Sequence, residues 1–162
     1  MKNQLTFALI ATLFITFSGF KSPKTDTNPK GGVVFYSGSY DNLLREARKQ
    51  KKPIVLEFWA AWCGPCQKLD KETFKNKNLG EYIKDNYLIY KVDIDTFDGM
   101  EIVDRFAVDV FPTMLVLDNK GHQISKMNGF YPASFLQKEL EVTRVKHNMF
   151  NPKQKDAIVF AK

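Results

Sequence analysis

The chain of 162 residues is long enough for one domain with a hydrophobic core, and its 44% hydrophobic and 26% charged residues are ordinary for a globular protein. This composition excludes an intrinsically disordered chain and a membrane protein with many spans. The formal net charge is +6, but the lysines are scattered and form no long basic block, so we predict a solvated basic surface and no nucleic-acid partner.

The N-terminus has the pattern of a secretory signal peptide. Lys2 precedes residues 5–17, which are all apolar or Thr, and Thr16 and Ser18 are the small residues that cleavage after position 18 requires. The apolar stretch is too short for a comfortable membrane span. We therefore expect residues 1–18 to direct export to the periplasm or the exterior and to be removed. The alternative is an uncleaved segment that anchors the protein to the membrane.

Three regions are predicted after this segment. Residues 19–32 are rich in Lys, Pro, Thr, Asn and Gly and are interpreted as a flexible linker. Residues 33–147 form the folded domain, and residues 148–162 form a C-terminal tail. The tail contains an apolar run at 157–161, for which an extra strand and an irregular end both remain open.

Strand-like and helix-like segments alternate within the domain. In chain order they are a strand at 33–36, a helix at 39–51, a buried strand at 54–61, helices at 63–75 and 79–86, a strand at 87–94, a helix at 100–106, strands at 113–117 and 123–127, and a last helix that begins near Pro132. The last helix is expected to turn Phe135, Leu136, Leu140 and Val145 inward. This order predicts an α/β domain with a mixed central β-sheet flanked by helices on both faces.

The two cysteines lie in the pentapeptide Trp62-Cys63-Gly64-Pro65-Cys66, between the buried strand and a helix. Unpaired N–H groups and the helix dipole favour the Cys63 thiolate, which is the nucleophilic form. Cys66 follows three residues later on the same helical face, within reach of Cys63. Gly64 leaves room for the backbone of a partner, and Pro65 is tolerated in a first helical turn. The pair therefore predicts thiol–disulfide exchange, in which Cys63 attacks a disulfide and Cys66 resolves the mixed disulfide.

Two other interpretations of the pair are weaker. A structural disulfide across so short a loop constrains the unfolded chain little. A zinc site usually has four ligands, and the remaining candidates, His122 and His147, lack ligand spacing. We therefore predict no metal and no separate cofactor, because the redox-active disulfide is itself the reactive group.

Residues 58–66, Phe-Trp-Ala-Ala-Trp-Cys-Gly-Pro-Cys, resemble the active-site signature of thioredoxins. Further segments resemble the same family at the expected separations: Phe111-Pro112-Thr113, Lys91-Val92-Asp93 and Gly129. The resemblance spans residues 33–146 and implies the thioredoxin fold with thiol–disulfide oxidoreductase activity. Residues 68–74 are similar to secreted thioredoxin-like domains of the thiol:disulfide interchange type. Lys71 stands where thioredoxins have a helix-kinking Pro, so a straighter helix is expected.

Glu57 is the only charged residue in the buried strand at 54–61. A lone buried carboxylate is costly unless it is paired or protonated. Glu57 matches the buried acidic residue of thioredoxins, and the resemblance implies that it acts as a general base for Cys66. A partly exposed Glu is the alternative. Lys91 is a candidate partner that would hold Glu57 charged, with an ordinary surface Lys as the alternative.

The resemblance also implies a substrate groove beside the cysteines. Pro112 matches the cis-Pro of the family, which would present Phe111 backbone groups to an extended substrate. Gly64 and Pro65 belong to the same expected binding surface. Trp62 is expected to be a surface aromatic that contacts partners, whereas Trp59 is expected to pack under the active-site loop as a structural residue.

The Gly-Pro dipeptide between the cysteines resembles that of the reducing members of the family. It implies an enzyme that reduces protein disulfides. The sequence shows no nucleotide-binding motif, so the electrons are expected to come from another protein or a small thiol. A disulfide oxidase or isomerase and a cytochrome-maturation thioredoxin are the alternatives within this chemistry. An alternative of another class is a peptide-binding or holdase module with an incidental dithiol. A monomer is the default expectation.

Overall fold

The computed structural model describes residues 31–150. The predicted signal segment, the linker as far as residue 30 and the tail from residue 151 lie outside the described residues. The elements in chain order are α1 (Tyr40–Gln50), β1 (Ile54–Trp59), α2 (Gly64–Lys68), a π-helical turn (Leu69–Thr73), α3 (Lys77–Asn86), β2 (Leu88–Asp93), α4 (Phe97–Arg105), β3 (Thr113–Leu117), β4 (Gln123–Asn128) and α5 (Ala133–Phe150). Helix α5 therefore continues into the predicted tail.

Side-chain caps fix where three of these helices begin. Ser39 accepts a hydrogen bond from the Asn42 amide at the start of α1. Asn76 and Thr96 make the equivalent bonds at the starts of α3 and α4. Each cap satisfies a backbone N–H group that has no partner within its helix. Ser39, Asn76 and Thr96 therefore set the N-terminal boundaries of α1, α3 and α4.

The four strands form one mixed sheet in the order β2-β1-β3-β4. Strand β1 pairs parallel to β2 and antiparallel to β3, and β3 pairs antiparallel to β4. Strand β1 is therefore central, and five of its six residues are buried. At one end of the sheet, β4 exposes Gln123, Lys126 and Asn128, and the Lys126 ammonium donates a 3.0 Å hydrogen bond to the Ala107 carbonyl.

Two apolar cores lie on opposite faces of the sheet. Helices α1 and α4 cover the face that contains Leu56 and Phe58 of β1. The π-helical turn, α3 and α5 cover the face that contains Val55. Because successive strand residues point to opposite faces, Glu57 shares the face of Val55. The predicted sheet with helices on both faces is thus confirmed.

The segment at 33–36 is not the strand that its sequence predicts. The Tyr36 amide donates to the Ile89 carbonyl of β2, but the Val33 amide donates to the Phe74 carbonyl, which lies outside the sheet. The segment is extended and crosses from one partner to the other. The observed order therefore begins with helix α1.

The helix after the cysteines is not a regular α-helix through residue 75. It changes at Leu69 into a five-residue π-helical turn, in which the Phe74 amide reaches back to the Leu69 carbonyl at 2.9 Å. Lys71 lies within this turn. The absence of a proline at that position therefore does not produce the straighter helix that the sequence predicts.

Two of the four predicted inward residues of α5 are on the surface. Leu136 and Leu140 are fully buried, whereas Phe135 and Val145 are 47% and 42% exposed. With 3.6 residues per turn, Leu136 and Leu140 share one stripe, and neither Phe135 nor Val145 falls on it. The Phe135 ring stacks on Tyr131 instead. Within residues 31–150, no helix has the length and apolar character needed to cross a bilayer.

Candidate active site

The two cysteines lie where β1 gives way to α2, and they are joined as a disulfide with their Cα atoms 5.2 Å apart. Cys63 is the residue that precedes α2, and its Sγ accepts a hydrogen bond of 3.2 Å from the Cys66 amide. Cys63 keeps 4% of its surface exposed, whereas Cys66 is fully enclosed. Of the two cysteines, only Cys63 therefore has any surface open to a partner.

The dipeptide between the cysteines fits the start of the helix. Pro65 lies in the first turn of α2, where its missing N–H group removes no helical hydrogen bond. A side chain at Gly64 would meet no other atom within 4 Å. The folded chain itself therefore leaves open space beside this glycine.

Glu57 is buried in the central strand β1, on the sheet face that contains Val55. It is fully enclosed, and among the described side chains neither of its carboxylate oxygens has a hydrogen-bond partner. Burial raises the pKa of Glu57 from 4.5 to about 8, the Lys91 charge opposes this rise and the Asp70 charge adds to it. The alternative of a partly exposed Glu57 is therefore wrong.

Lys91 stands opposite Glu57 in the β1–β2 register, but its hydrogen bonds go to another carboxylate. Its Nζ lies 2.5 Å and 2.6 Å from the two oxygens of Asp70, compared with 3.9 Å from Glu57 Oε2. Lys91 is therefore no ordinary surface lysine. The expected pairing of Lys91 with Glu57 is present at 3.9 Å, but burial raises the pKa of Glu57 more than the Lys91 charge lowers it.

The aromatic residues divide as their sequence context predicts. Trp62 is 66% exposed, and its ring meets Phe111 edge to face at 6.4 Å between centroids. Trp59 is partly buried and packs against the cluster that contains both cysteines. The Phe111–Pro112 peptide bond is cis. The Pro112 carbonyl accepts a 2.7 Å hydrogen bond from the Gly129 amide, and Gly129 adopts a φ of +94°, which favours glycine.

The structure adds two acidic residues that were not singled out from the sequence. Asp70 follows Cys66 by four residues, a helical spacing that could have placed it near the cysteines. Asp95 follows β2 and accepts a 3.1 Å hydrogen bond from Trp62 Nε1. The carboxyl ends of the parallel strands β1 and β2 meet at one edge, which is the signal that could have brought these residues together. His122, one of the two candidate zinc ligands, lies in the β3–β4 turn, and its Nδ1 is 2.9 Å from Asp118 Oδ2.

Comparisons with known proteins agree with this geometry. The family described as the thioredoxin-like domain matches residues 40–143. The chain is 32% identical over 151 residues to the thiol:disulfide interchange protein DsbD of Campylobacter jejuni, covering 86% of this chain and 26% of that protein. It is 30% identical over 103 residues to a thioredoxin-like protein of Synechocystis, covering 64% of this chain and 92% of that protein. The chain thus spans about a quarter of the length of DsbD.

Solved structures show the same fold. A protein of Bacteroides thetaiotaomicron, provisionally named a disulphide isomerase, matches with a TM-score of 0.62 and 26% identity, over 70% of this chain and 93% of that one. A thioredoxin from Thermus thermophilus matches with a TM-score of 0.63 and 22% identity, over 71% and 89%, and this match shows the fold alone. The predicted thioredoxin fold is therefore confirmed. With its family match and its cysteine pair at the start of α2, the chain belongs to the family of thioredoxin-like domains.

Proposed function

We propose that this chain is an exported oxidoreductase that reduces disulfides in other proteins. The observation that carries the proposal is the unequal access to the two sulfurs, since Cys63 is reachable and Cys66 is enclosed. A protein substrate is favoured because exposed Trp62 and open space at Gly64 flank the reachable sulfur. Export is supported by the pattern of residues 1–18.

The proposed reaction has two exchange steps. The Cys63 thiolate attacks one sulfur of the substrate disulfide, that bond breaks, and the second substrate sulfur leaves and takes up a proton. The Cys66 thiolate then attacks Cys63 Sγ, the mixed disulfide breaks, and the first substrate sulfur leaves and is protonated. The substrate gains two electrons and two protons, and the chain keeps the Cys63–Cys66 disulfide. A protein or small-thiol donor then restores the two thiols.

Each nearby residue has a proposed role in these steps. The Cys66 amide stabilises the Cys63 thiolate through its hydrogen bond to Sγ. Glu57 accepts the proton of Cys66, directly or through a water, and a pKa of about 8 suits a base that works near neutral pH. Trp62, Gly64, Pro65, Phe111 and Pro112 form the substrate groove, in which Phe111 backbone groups bind an extended segment.

Reduction potential is the property that tests the direction of this chemistry. Equilibration of the Cys63–Cys66 pair with defined thiol–disulfide buffers is expected to give a value below about −250 mV, typical of a reductant. The main alternative is an oxidase or isomerase, which the similarity to the Bacteroides protein favours. A potential of about −180 to −120 mV would contradict the reductase and support this alternative.

Replacing Cys66 by Ser is expected to trap substrates on Cys63. The first attack needs only Cys63, and the mixed disulfide then has no internal thiol to resolve it. Adducts from the exported compartment should be visible on non-reducing gels and should disappear on reduction. The matched control is the Cys63→Ser/Cys66→Ser double variant, which has no thiol. Equal adduct patterns for the two variants would rule out a dedicated protein substrate.

A further inference from the structure

The Lys91 ammonium is held by three side chains, each from a different part of the fold. Asp70 of the π-helical turn binds it with both carboxylate oxygens. The ring of Trp59, the last residue of β1, lies beneath it at 4.1 Å, and the Phe35 ring lies at 5.5 Å. Cation–π contacts of this kind add to the attraction of the carboxylate. The position of Lys91 is therefore set mainly by groups other than Glu57.

Glu57 interacts with the Lys91 ammonium less strongly than Asp70 does. Its nearer oxygen is 3.9 Å from Lys91 Nζ, which is beyond hydrogen-bond distance. Asp70 is a second negative charge on the same lysine, so it repels a charge on Glu57 as well as competing for the cation. Both effects of Asp70 act in the same direction, toward a neutral Glu57.

The other elements on this face of the sheet contribute mostly apolar side chains. The buried residues that α3, β3 and α5 place there include Leu79, Ile83, Met114, Leu136 and Leu140. Tyr87 also lies in this core, and its hydroxyl donates to the Leu140 carbonyl at 2.7 Å. Cys66 of α2 belongs to a separate cluster with Ala60 and Cys63. Among the described residues, Lys91 and Asp70 are the charges that act on Glu57.

We propose that Asp70 is a positioning residue which, by binding Lys91, withholds that cation from Glu57 and so adds to the effect of burial in keeping the Glu57 carboxyl protonated in the resting, oxidised enzyme. The inference rests on the proposed role of Glu57 as the base for Cys66, a role that only the ionised form of Glu57 can fill. In this arrangement the π-helical turn that follows the cysteines does more than connect α2 to α3. It carries the carboxylate that decides how much of the Lys91 charge reaches the base.

The proton on Glu57 can be observed directly in the oxidised full-length chain. Glutamate is labelled with 13C at the side-chain carboxyl, and the Glu57 signal is identified by its loss in Glu57→Gln. Asp70→Asn is expected to lower the titration midpoint of Glu57 by about one pH unit, because the repulsion disappears and Lys91 can close the gap. Lys91→Gln is expected to raise the midpoint, since Lys91 is the cation that lowers the pKa of Glu57 among residues 31–150.

Glu72→Gln is the matched control, because Glu72 lies two residues from Asp70 and pairs with the exposed Lys68 at 4.0 Å. It removes the same charge and should leave the Glu57 midpoint unchanged. An unchanged or raised midpoint in Asp70→Asn would overturn the proposal. If Asp70→Asn does not fold, Asp70→Ser is measured instead: a lowered Glu57 midpoint supports the proposal, and an unchanged or raised midpoint overturns it.

The kinetics of the second exchange step separate this inference from the proposed function. If Glu57 is the base, the pH profile of Cys66 attack should move with the Glu57 midpoint in Asp70→Asn. A midpoint that moves while the kinetic profile stays fixed would support the charge partition and contradict the role of Glu57 as the base. The midpoint and the kinetic profile together therefore distinguish a failure of the Asp70 proposal from a failure of the proposed role of Glu57.

Discussion

Replacing Cys63 by Ser is expected to lower the catalysed rate of insulin disulfide reduction by at least about a thousandfold. The catalysed rate is the rate with dithiothreitol and enzyme minus the rate with dithiothreitol alone. The serine hydroxyl is not ionised at neutral pH, so the group at the start of α2 can no longer attack a disulfide. Cys66 cannot take over, because it is fully enclosed in the fold. The measurement is the rate of insulin precipitation, compared with the uncatalysed rate in dithiothreitol alone.

The Cys66→Ser variant is the informative control for this loss. It keeps Cys63, so each molecule should form one mixed disulfide with insulin and then turn over only as fast as dithiothreitol reduces that bond, whereas Cys63→Ser should form none. A Cys63→Ser variant with full activity would remove the redox mechanism. If that variant also kept full ability to prevent aggregation of an unfolded client, the holdase interpretation would replace it, since the groove around Trp62 and Phe111 would still be intact.

The stability of the oxidised protein is expected to fall as the pH rises from about 5 to 8, and Glu57→Gln should remove most of this fall. The pKa of Glu57 is raised from 4.5 in the unfolded chain to about 8 in the fold. Between these values the folded state binds a proton that the unfolded state has released. The free energy of unfolding therefore decreases with pH by up to about 1.4 kcal/mol per pH unit from this residue.

Urea unfolding of the oxidised form at several pH values measures this effect, and the disulfide prevents the cysteines from titrating. The quantity of interest is the difference between wild type and Glu57→Gln, which should change by roughly 2–3 kcal/mol between pH 5 and pH 7. Glu81→Gln is the control, because Glu81 is exposed beside Lys77 and should leave the pH dependence unchanged. Parallel curves for wild type and Glu57→Gln would show that Glu57 ionises normally.

The sequence pattern predicts the parts of the fold that local chemistry determines. Ser39 is followed by a helix, and the nearly continuous apolar run from Ile54 becomes the central strand. The pattern fails where tertiary contacts decide. The segment at 33–36 has strand-like residues, but its amides bond to two different parts of the chain. Phe135 is apolar, but it does not lie on the side of helix α5 that buries Leu136, so it remains on the surface.

The candidate site, too, could be predicted from the sequence only in part. The roles expected for the cysteines depend on residues that adjoin in sequence, so a motif is enough to predict them. The charge of Glu57 depends on the distance from Lys91 to two competing carboxylates, 2.5 Å to Asp70 and 3.9 Å to Glu57. These three residues come from β1, β2 and the π-helical turn. No periodicity within one segment reports a distance between segments, so the competition could be found only in the folded structure.

The end of the sheet at β4 bears on how this protein resists aggregation. A strand at the edge of a sheet offers unpaired backbone groups to other chains, and a flat apolar edge promotes association. Here β4 exposes Gln123, Lys126 and Asn128, and its pairing with β3 is irregular at Val116/Leu117. Another strand that docked here would have to accommodate the charged Lys126 side chain and follow a distorted edge. Strand β4 therefore discourages edge-to-edge polymerisation through its own sequence.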